Sequence, residues 1–101
     1  MTEPAYVRAL RDLYLNLPQT SGRFSRSDRQ LAVELFRRNV PFHTVRSAIL
    51  MVILNRLYRH GPALPTIRSL HYFRPAIEKI LQHPLPNGYI QYLEYKFQRF
   101  G

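Results

Sequence analysis

The sequence predicts an all-α fold, a compact bundle of about five helices around one buried helix at 42–59. Seven consecutive apolar residues, Ala48 to Leu54, occupy the middle of that segment. Apolar residues in the other segments recur at spacings of three and four, and no segment alternates as a strand does. Pro, Gly and Asn residues divide the chain into segments of helical length. Because a helix that is hydrophobic most of the way round is buried, the other helices are expected to surround this one.

The apolar run also has two other interpretations, a strand buried on both faces and a membrane span. A span needs about 20 apolar residues, so the run is too short for one. Leu57 and Tyr58 continue the apolar spacing downstream at helical intervals. Pro41 before the run and Gly61-Pro62 after it mark the start and stop of one segment. The length and these boundaries favour a helix.

Two helices precede the central one. The first is predicted at 4–16, where Pro4 fits the first turn and apolar residues line one face. The second is predicted at 27–38, after N-cap candidates in the segment Ser25–Asp28. Asn39 can adopt the left-handed conformation that ends a helix.

Two helical segments follow the central helix. In the segment 70–82, Pro75 either kinks one continuous helix or takes the first position of a helix that begins near Arg74. We expect a kinked or two-part helix. The last helix is predicted at 88–99, with Asn87 as its cap.

The composition is that of one small folded domain, 1–101. Hydrophobic residues make up 46% of the chain, which favours folding over disorder. The absence of Cys excludes disulfides and thiolate metal sites and fits a reducing compartment. No basic segment followed by an apolar one opens the chain, so we expect no signal peptide, no membrane association and a cytoplasmic location.

The charge balance predicts an anionic partner. The chain has 15 Lys and Arg residues against 6 Asp and Glu, a formal net charge of +9, and nucleic acid is the commonest partner of such proteins. All the cations but Lys79 and Lys96 are Arg, whose planar fork suits phosphate. The alternative is a genome composition that replaces Lys by Arg without any function.

Catalysis is not predicted, and neither is a metal or a cofactor. The six acidic residues are dispersed, which is typical of surface ion pairs rather than of paired catalytic carboxylates. The four histidines lack the spacing that places two ligands on one helix face. No glycine-rich phosphate loop is present.

Arginines at the start of the second helix are the best candidates for phosphate contact. Free N–H groups and the helix dipole favour an anion there, whereas acids would serve helix stability better. A solvated basic surface is the alternative. The full set of nucleic-acid-binding candidates is Arg23, Arg26, Arg29, Arg37, Arg38, Arg68 and Arg74.

Two further groups of residues are weaker candidates. His71 and Tyr72 lie between Arg68 and Arg74 and are candidates for stacking on bases, although an aromatic residue at this position is more often part of the core. Arg56, Arg59 and His60 lie at the end of the central helix and are predicted to form a second basic patch.

The short turn between the second and central helices suggests a helix-turn-helix motif. The second helix of that motif enters the major groove and must therefore expose a polar face. The central helix has no polar side to offer across Ala48 to Leu54. The sequence therefore predicts contact with the phosphate backbone rather than base readout, with strong salt dependence.

The order of caps and apolar positions from Ser25 to Leu81 resembles small helical modules of bacterial and plasmid replication proteins. These modules are the DnaD-like domain and the helical domain that follows the catalytic core of plasmid-type primases. The resemblance lies in Ser25 to Pro41, the apolar helix, and Ile67 to Ile77 with its Ser-x-x-Tyr-Phe segment. Asn39 stands where Gly is usual, and no catalytic primase residue is carried over.

The resemblance implies a DNA-binding accessory of replication or mobile-element machinery, with a replication or recombination protein as a further partner. DNA is expected ahead of RNA. The alternative is a protein-interaction adaptor, or a homo-oligomer, that uses the aromatic last helix. Its candidate residues are Tyr89, Tyr92, Tyr95, Phe97 and Phe100.

Overall fold

The computed structural model describes residues 1–86 and 88–100, without the side chain of Phe100. This part of the chain forms an all-α bundle, which confirms the predicted fold class. A cap at Asn87 lies outside the described residues. The elements are α1 (Glu3–Leu15), α2 (Arg26–Arg37), α3 (Phe42–Tyr58), a 3-10 helix (Leu70–Phe73), α4 (Arg74–Gln82) and α5 (Tyr89–Phe100).

Helix α3 is the centre of the bundle, as predicted. Val45, Ala48, Ile49 and Ile53 are fully buried. The helix contacts α1, α4, α5 and the 3-10 helix, whereas α2 packs on α1 and on the 3-10 helix. Within the described part of the chain, no helix combines the length and apolar character needed to cross a membrane.

The helix boundaries follow from local signals in the sequence. The Ser25 side chain accepts a hydrogen bond from the Asp28 backbone and so caps α2. Asn39 has a φ of 60°, the left-handed conformation expected after α2. Pro75 lies in the first turn of α4, which continues directly from the 3-10 helix. The expected two-part helix is therefore confirmed.

The loop after α1 pairs with the loop before the 3-10 helix. The Ser21 N–H donates to the Ile67 carbonyl, and the Ile67 N–H donates to the Gln19 carbonyl, each at 2.8 Å. These two bonds form a single bridge between segments that are far apart in the sequence. The bridge closes the end of the bundle that contains the C-terminal end of α3.

Arg56 anchors both loops to α3. Only 8% of this residue is exposed. Its Nε donates to Gln19 Oε1 at 2.6 Å, its Nη1 to the Tyr72 hydroxyl at 3.0 Å, and its Nη2 to the Pro65 carbonyl at 2.5 Å. The prediction that Arg56 forms a surface patch with Arg59 and His60 is therefore wrong. The loops supply acceptors for the guanidinium group, so it is drawn inward.

We predict that Arg56→Met destabilises the protein by ~2 kcal/mol, because it leaves acceptors in both loops without their donor. Denaturation in urea measures this change. Arg59→Met is the matched control, since Arg59 is exposed and its side chain bonds to Pro62 of its own loop. The control is expected to change stability by no more than ~0.5 kcal/mol. Equal effects of the two substitutions would contradict an anchoring role for Arg56.

Candidate functional site

A buried carboxylate organises the N-terminal end of α2. Asp28 is only 1% exposed. Its Oδ2 accepts from the Ser25 N–H at 2.9 Å, completing a capping box. Its Oδ1 accepts from the Ser69 hydroxyl at 2.8 Å and from the Leu70 N–H at 2.9 Å. One side chain therefore fixes the start of the 3-10 helix against the start of α2.

Two opposing effects set the pKa of Asp28. Burial of the carboxylate raises the pKa, whereas the hydrogen bonds from Ser25, Ser69 and Leu70 lower it. The hydrogen bonds together outweigh burial, so the pKa lies below its ordinary value. Asp28 is therefore an anion in the folded protein, held by backbone and hydroxyl donors rather than by an arginine.

Four of the predicted phosphate-binding arginines gather at this end of α2. Arg26 and Arg29 are on α2, Arg23 lies in the preceding loop, and Arg68 directly precedes Ser69, which bonds to Asp28. All four are exposed. Within residues 1–86 and 88–100, none of the four forms an ion pair. We call these four residues the basic end.

The other three predicted arginines are paired with acids. Arg37 Nε lies 3.0 Å from Glu3 Oε1. The remaining two join an exposed network in which Arg38 Nη1 lies 2.6 Å from Glu78 Oε1 and Arg74 Nη1 lies 3.0 Å from Glu34 Oε2.

The hydrogen bond and the charge of Arg38 lower the pKa of Glu78, and those of Arg74 lower the pKa of Glu34. Both carboxylates are therefore ionised near neutral pH. Arg38 and Arg74 therefore have carboxylate partners within the protein, whereas the arginines of the basic end have none among the described residues.

An open groove of about 660 Å³ follows the outer face of α2. Arg26 and Arg29 line it near the start of the helix, and Arg37 and Arg38 line it near the end. Glu34 also lines the groove, so its positive character is concentrated at the N-terminal half.

The two stacking candidates are oriented by neighbouring side chains. His71 Nε2 lies 3.0 Å from the Ser27 hydroxyl at the start of α2, and the residue is exposed. Tyr72 is also exposed, but the Arg56 guanidinium lies 5.5 Å from its ring centroid. One part of the Tyr72 ring is therefore already covered, and His71 is the better placed of the two beside the basic end.

The aromatic residues of α5 divide between the core and the surface. Tyr92 and Tyr95 are 51% and 57% exposed, and Tyr89 is also exposed. Phe97 is half-buried against the core. The side chain of Phe100 lies outside the described part of the chain. The predicted partner-binding face is thus reduced to three tyrosines.

Two arginines that the sequence analysis did not select belong near the basic end. Arg8 and Arg11 of α1 line a cavity of about 180 Å³ together with Arg29 of α2. Their spacing of three residues on one face of α1 is a visible signal, but the approach of that face to Arg29 is a tertiary contact that no local pattern records.

Comparisons with known protein families, with curated proteins and with solved structures find no match for this chain. The fold and the site therefore define its class, a small all-α protein with exposed arginines collected at one end of a helix.

We predict that Asp28→Asn lowers stability at neutral pH by ~2 kcal/mol. Both carboxylate oxygens accept hydrogen bonds, whereas an amide offers one acceptor and turns an NH₂ group toward a donor. Because the folded-state pKa is depressed, the contribution of Asp28 is present above the unfolded-state pKa and is lost as the pH falls through the folded-state value. The stability difference between wild type and variant should therefore narrow below about pH 4.

Urea denaturation from neutral to acidic pH measures both effects. Asp12→Asn is the control, since its exposed carboxylate contacts Arg11 at 3.5 Å. If the stability difference between wild type and Asp28→Asn stays constant to the lowest pH measured, the proposed dependence of stability on the Asp28 pKa is contradicted.

Proposed function

We propose that this protein is a DNA-binding accessory module that grips the phosphate backbone through the basic end. The residues proposed to make contact are Arg23, Arg26, Arg29 and Arg68, with His71 beside them. Arg37, Arg38 and Arg74 support these contacts less, because each already has a carboxylate partner.

One observation carries this proposal, namely where the acidic residues lie. Glu3, Asp12, Glu34, Glu78 and Glu94 each form an ion pair with an arginine outside the basic end. The sixth acid, Asp28, is buried and bonded to backbone and hydroxyl donors. The basic end is therefore left with concentrated positive charge that a polyanion would neutralise.

The geometry favours backbone contact over base readout. The middle of helix α3 is buried from Ala48 to Leu50 and at Ile53 and Leu54, so it offers no polar face to a groove. The basic end consists of a loop residue, two residues in the first turn of α2 and the residue before the N-cap of the 3-10 helix. This arrangement suits phosphate oxygens approached from several directions. Such contacts release counterions and weaken with salt.

We further propose that the module serves replication or mobile-element machinery. This proposal rests on the resemblance of Ser25 to Leu81 to the helical modules of replication proteins. In this chain, the Ser-x-x-Tyr-Phe segment begins at Ser69, which bonds to Asp28 and so positions Arg68 and His71 beside α2. The resembling segment and the basic end therefore coincide.

We predict that Arg26→Gln/Arg29→Gln weakens DNA binding by on the order of tenfold or more, because two charge-assisted contacts are lost. The plot of log K against log salt should also become shallower by about 2, roughly one for each phosphate contact. Fluorescence anisotropy of a labelled duplex at about 50 and 200 mM salt measures both quantities.

The control for this experiment is Lys79→Gln/Arg99→Gln, which removes the same net charge from α4 and α5. A basic surface without function would make both double variants lose affinity equally. Absence of binding by the wild type at low salt would overturn the proposal. Single-stranded DNA and RNA of the same length establish which nucleic acid is preferred.

Self-association through α5 is the second candidate function. It is favoured by the exposed face of Tyr89, Tyr92 and Tyr95, since exposed apolar surface of this kind marks interfaces. Lys96 and Arg99 lie over these rings, with Lys96 Nζ 5.7 Å from the Tyr92 centroid and the Arg99 guanidinium carbon 5.8 Å from the Tyr95 centroid. Two copies would therefore bring like charges together.

We predict that any dimer formed through this face strengthens with salt, opposite in sign to DNA binding, because salt screens the repulsion between its cations. Sedimentation velocity at increasing protein and salt concentrations measures the association. Tyr92→Ala/Tyr95→Ala should abolish it, whereas Arg26→Gln/Arg29→Gln should leave it unchanged. A protein that stays monomeric throughout, with wild type and variants alike, eliminates this candidate.

A further inference from the structure

Three arginine residues line one small cavity between α1 and α2. Arg8 and Arg11 come from α1, Arg29 comes from α2, and Pro4 and Val7 complete the wall. The volume is about 180 Å³. The cavity thus brings three arginine residues from two helices around one space with a partly apolar wall.

The acidic residues do little to neutralise this cluster. Asp12 is the only carboxylate with an ion pair to any of the three in the described part of the chain, and its Oδ1 lies 3.5 Å from Arg11 Nη2. That pair is long and exposed, and such pairs are weak. Arg8 and Arg29 have no ion pair among the described residues.

One donor in the cluster lacks a hydrogen bond. The Nε of Arg11 is buried, and no acceptor bonds to it among the described residues. Val7 is almost fully buried, so one wall of the cavity is apolar and strengthens electrostatic interactions nearby. Converging like charges and an unsatisfied buried donor both cost free energy, and an anion with several acceptor oxygens would relieve both costs.

We propose that Arg8, Arg11 and Arg29 form a discrete phosphate-binding pocket. Phosphate offers several oxygens to planar guanidinium forks, which is the geometry that arginine recognises best. The phosphate belongs either to the interior of a nucleic-acid strand or to its terminus. Only this choice of source rests on the proposed function, because the pocket shares Arg29 with the basic end but also depends on Arg8 and Arg11 of α1.

The first experiment titrates the protein with inorganic phosphate and follows the arginine Nε–H signals by NMR, with chloride at equal ionic strength as the reference. The signals of Arg8, Arg11 and Arg29 should shift together and saturate. Arg8→Gln should weaken this binding at least tenfold. Arg59→Gln is the matched control, since Arg59 is an exposed arginine outside both the cavity and the basic end, and it should leave the affinity unchanged.

Shifts of equal size at Arg59 and Arg8, or equal loss of affinity in both variants, would indicate diffuse screening and overturn the pocket. Saturable binding that only Arg8→Gln abolishes supports it. Arg8 is exposed and forms no ion pair with the described residues, so Arg8→Gln is expected to keep the fold, which an unchanged amide spectrum verifies.

The second experiment identifies the source of the phosphate. The protein is titrated with one oligonucleotide that carries either a 5′-phosphate or a 5′-hydroxyl group. A terminal phosphate is the source if the 5′-phosphate raises affinity severalfold in wild type and not in Arg8→Gln. An internal phosphate is the source if both oligonucleotides bind alike and both weaken in Arg8→Gln.

The two proposals can fail separately. If inorganic phosphate binds at the pocket but no nucleic acid binds, the proposed function fails and the pocket remains. If DNA binds with the expected salt dependence but Arg8→Gln changes neither phosphate nor DNA affinity, the pocket is overturned and the proposed function remains.

Discussion

The arrangement of this end of the protein depends on a single buried carboxylate. Asp28 is ionised away from water, which is costly unless both carboxylate oxygens accept hydrogen bonds. Donors from the start of α2 and from the start of the 3-10 helix meet this demand. Two chain segments 41 residues apart are therefore locked at one point, and the positions of Arg68 and His71 beside α2 follow from that lock.

The donors to Asp28 also determine what the neighbouring arginines can do. A buried carboxylate is often matched by an arginine, and a guanidinium group so used would turn inward. Here backbone N–H groups and the Ser69 hydroxyl satisfy the charge instead. Arg26 and Arg29, within one turn of Asp28, consequently remain exposed. The hydrogen bonds to Asp28 that stabilise the fold therefore also leave the surface around it basic.

Arg56, unlike Arg26 and Arg29, is buried. It follows the apolar run of α3. The two loops present an amide oxygen and a carbonyl to it, and the 3-10 helix presents the Tyr72 hydroxyl. A charge with three acceptors can be buried at tolerable cost. Net charge therefore overstates the surface available for a partner, because some arginines hold the fold together and others are paired with acids.

Features that depend on interactions between near neighbours in the chain could be predicted from the sequence. Features that depend on tertiary contacts could not. Caps, prolines and apolar spacing act within a few residues, so the five helices and the two-part helix at Pro75 were predictable. The bond from Ser69 to Asp28 and the ion pairs of Arg37, Arg38 and Arg74 join residues 34 to 41 positions apart. No periodicity carries that information, so the sequence could not separate paired arginines from unpaired ones.

The difference between arginines that pair with acids and arginines that do not bears on whether the excess of arginine has a function. A genome that replaces Lys by Arg changes how many guanidinium groups a protein carries, but it does not decide where the carboxylates lie. The other five acids each pair with an arginine that is not one of the four in the basic end, and the one acid at the start of α2 is buried. Like charges left together on a surface oppose folding rather than favour it. A genome composition that favours arginine accounts for the number of arginines but not for their placement, for which we propose an anionic partner at the basic end.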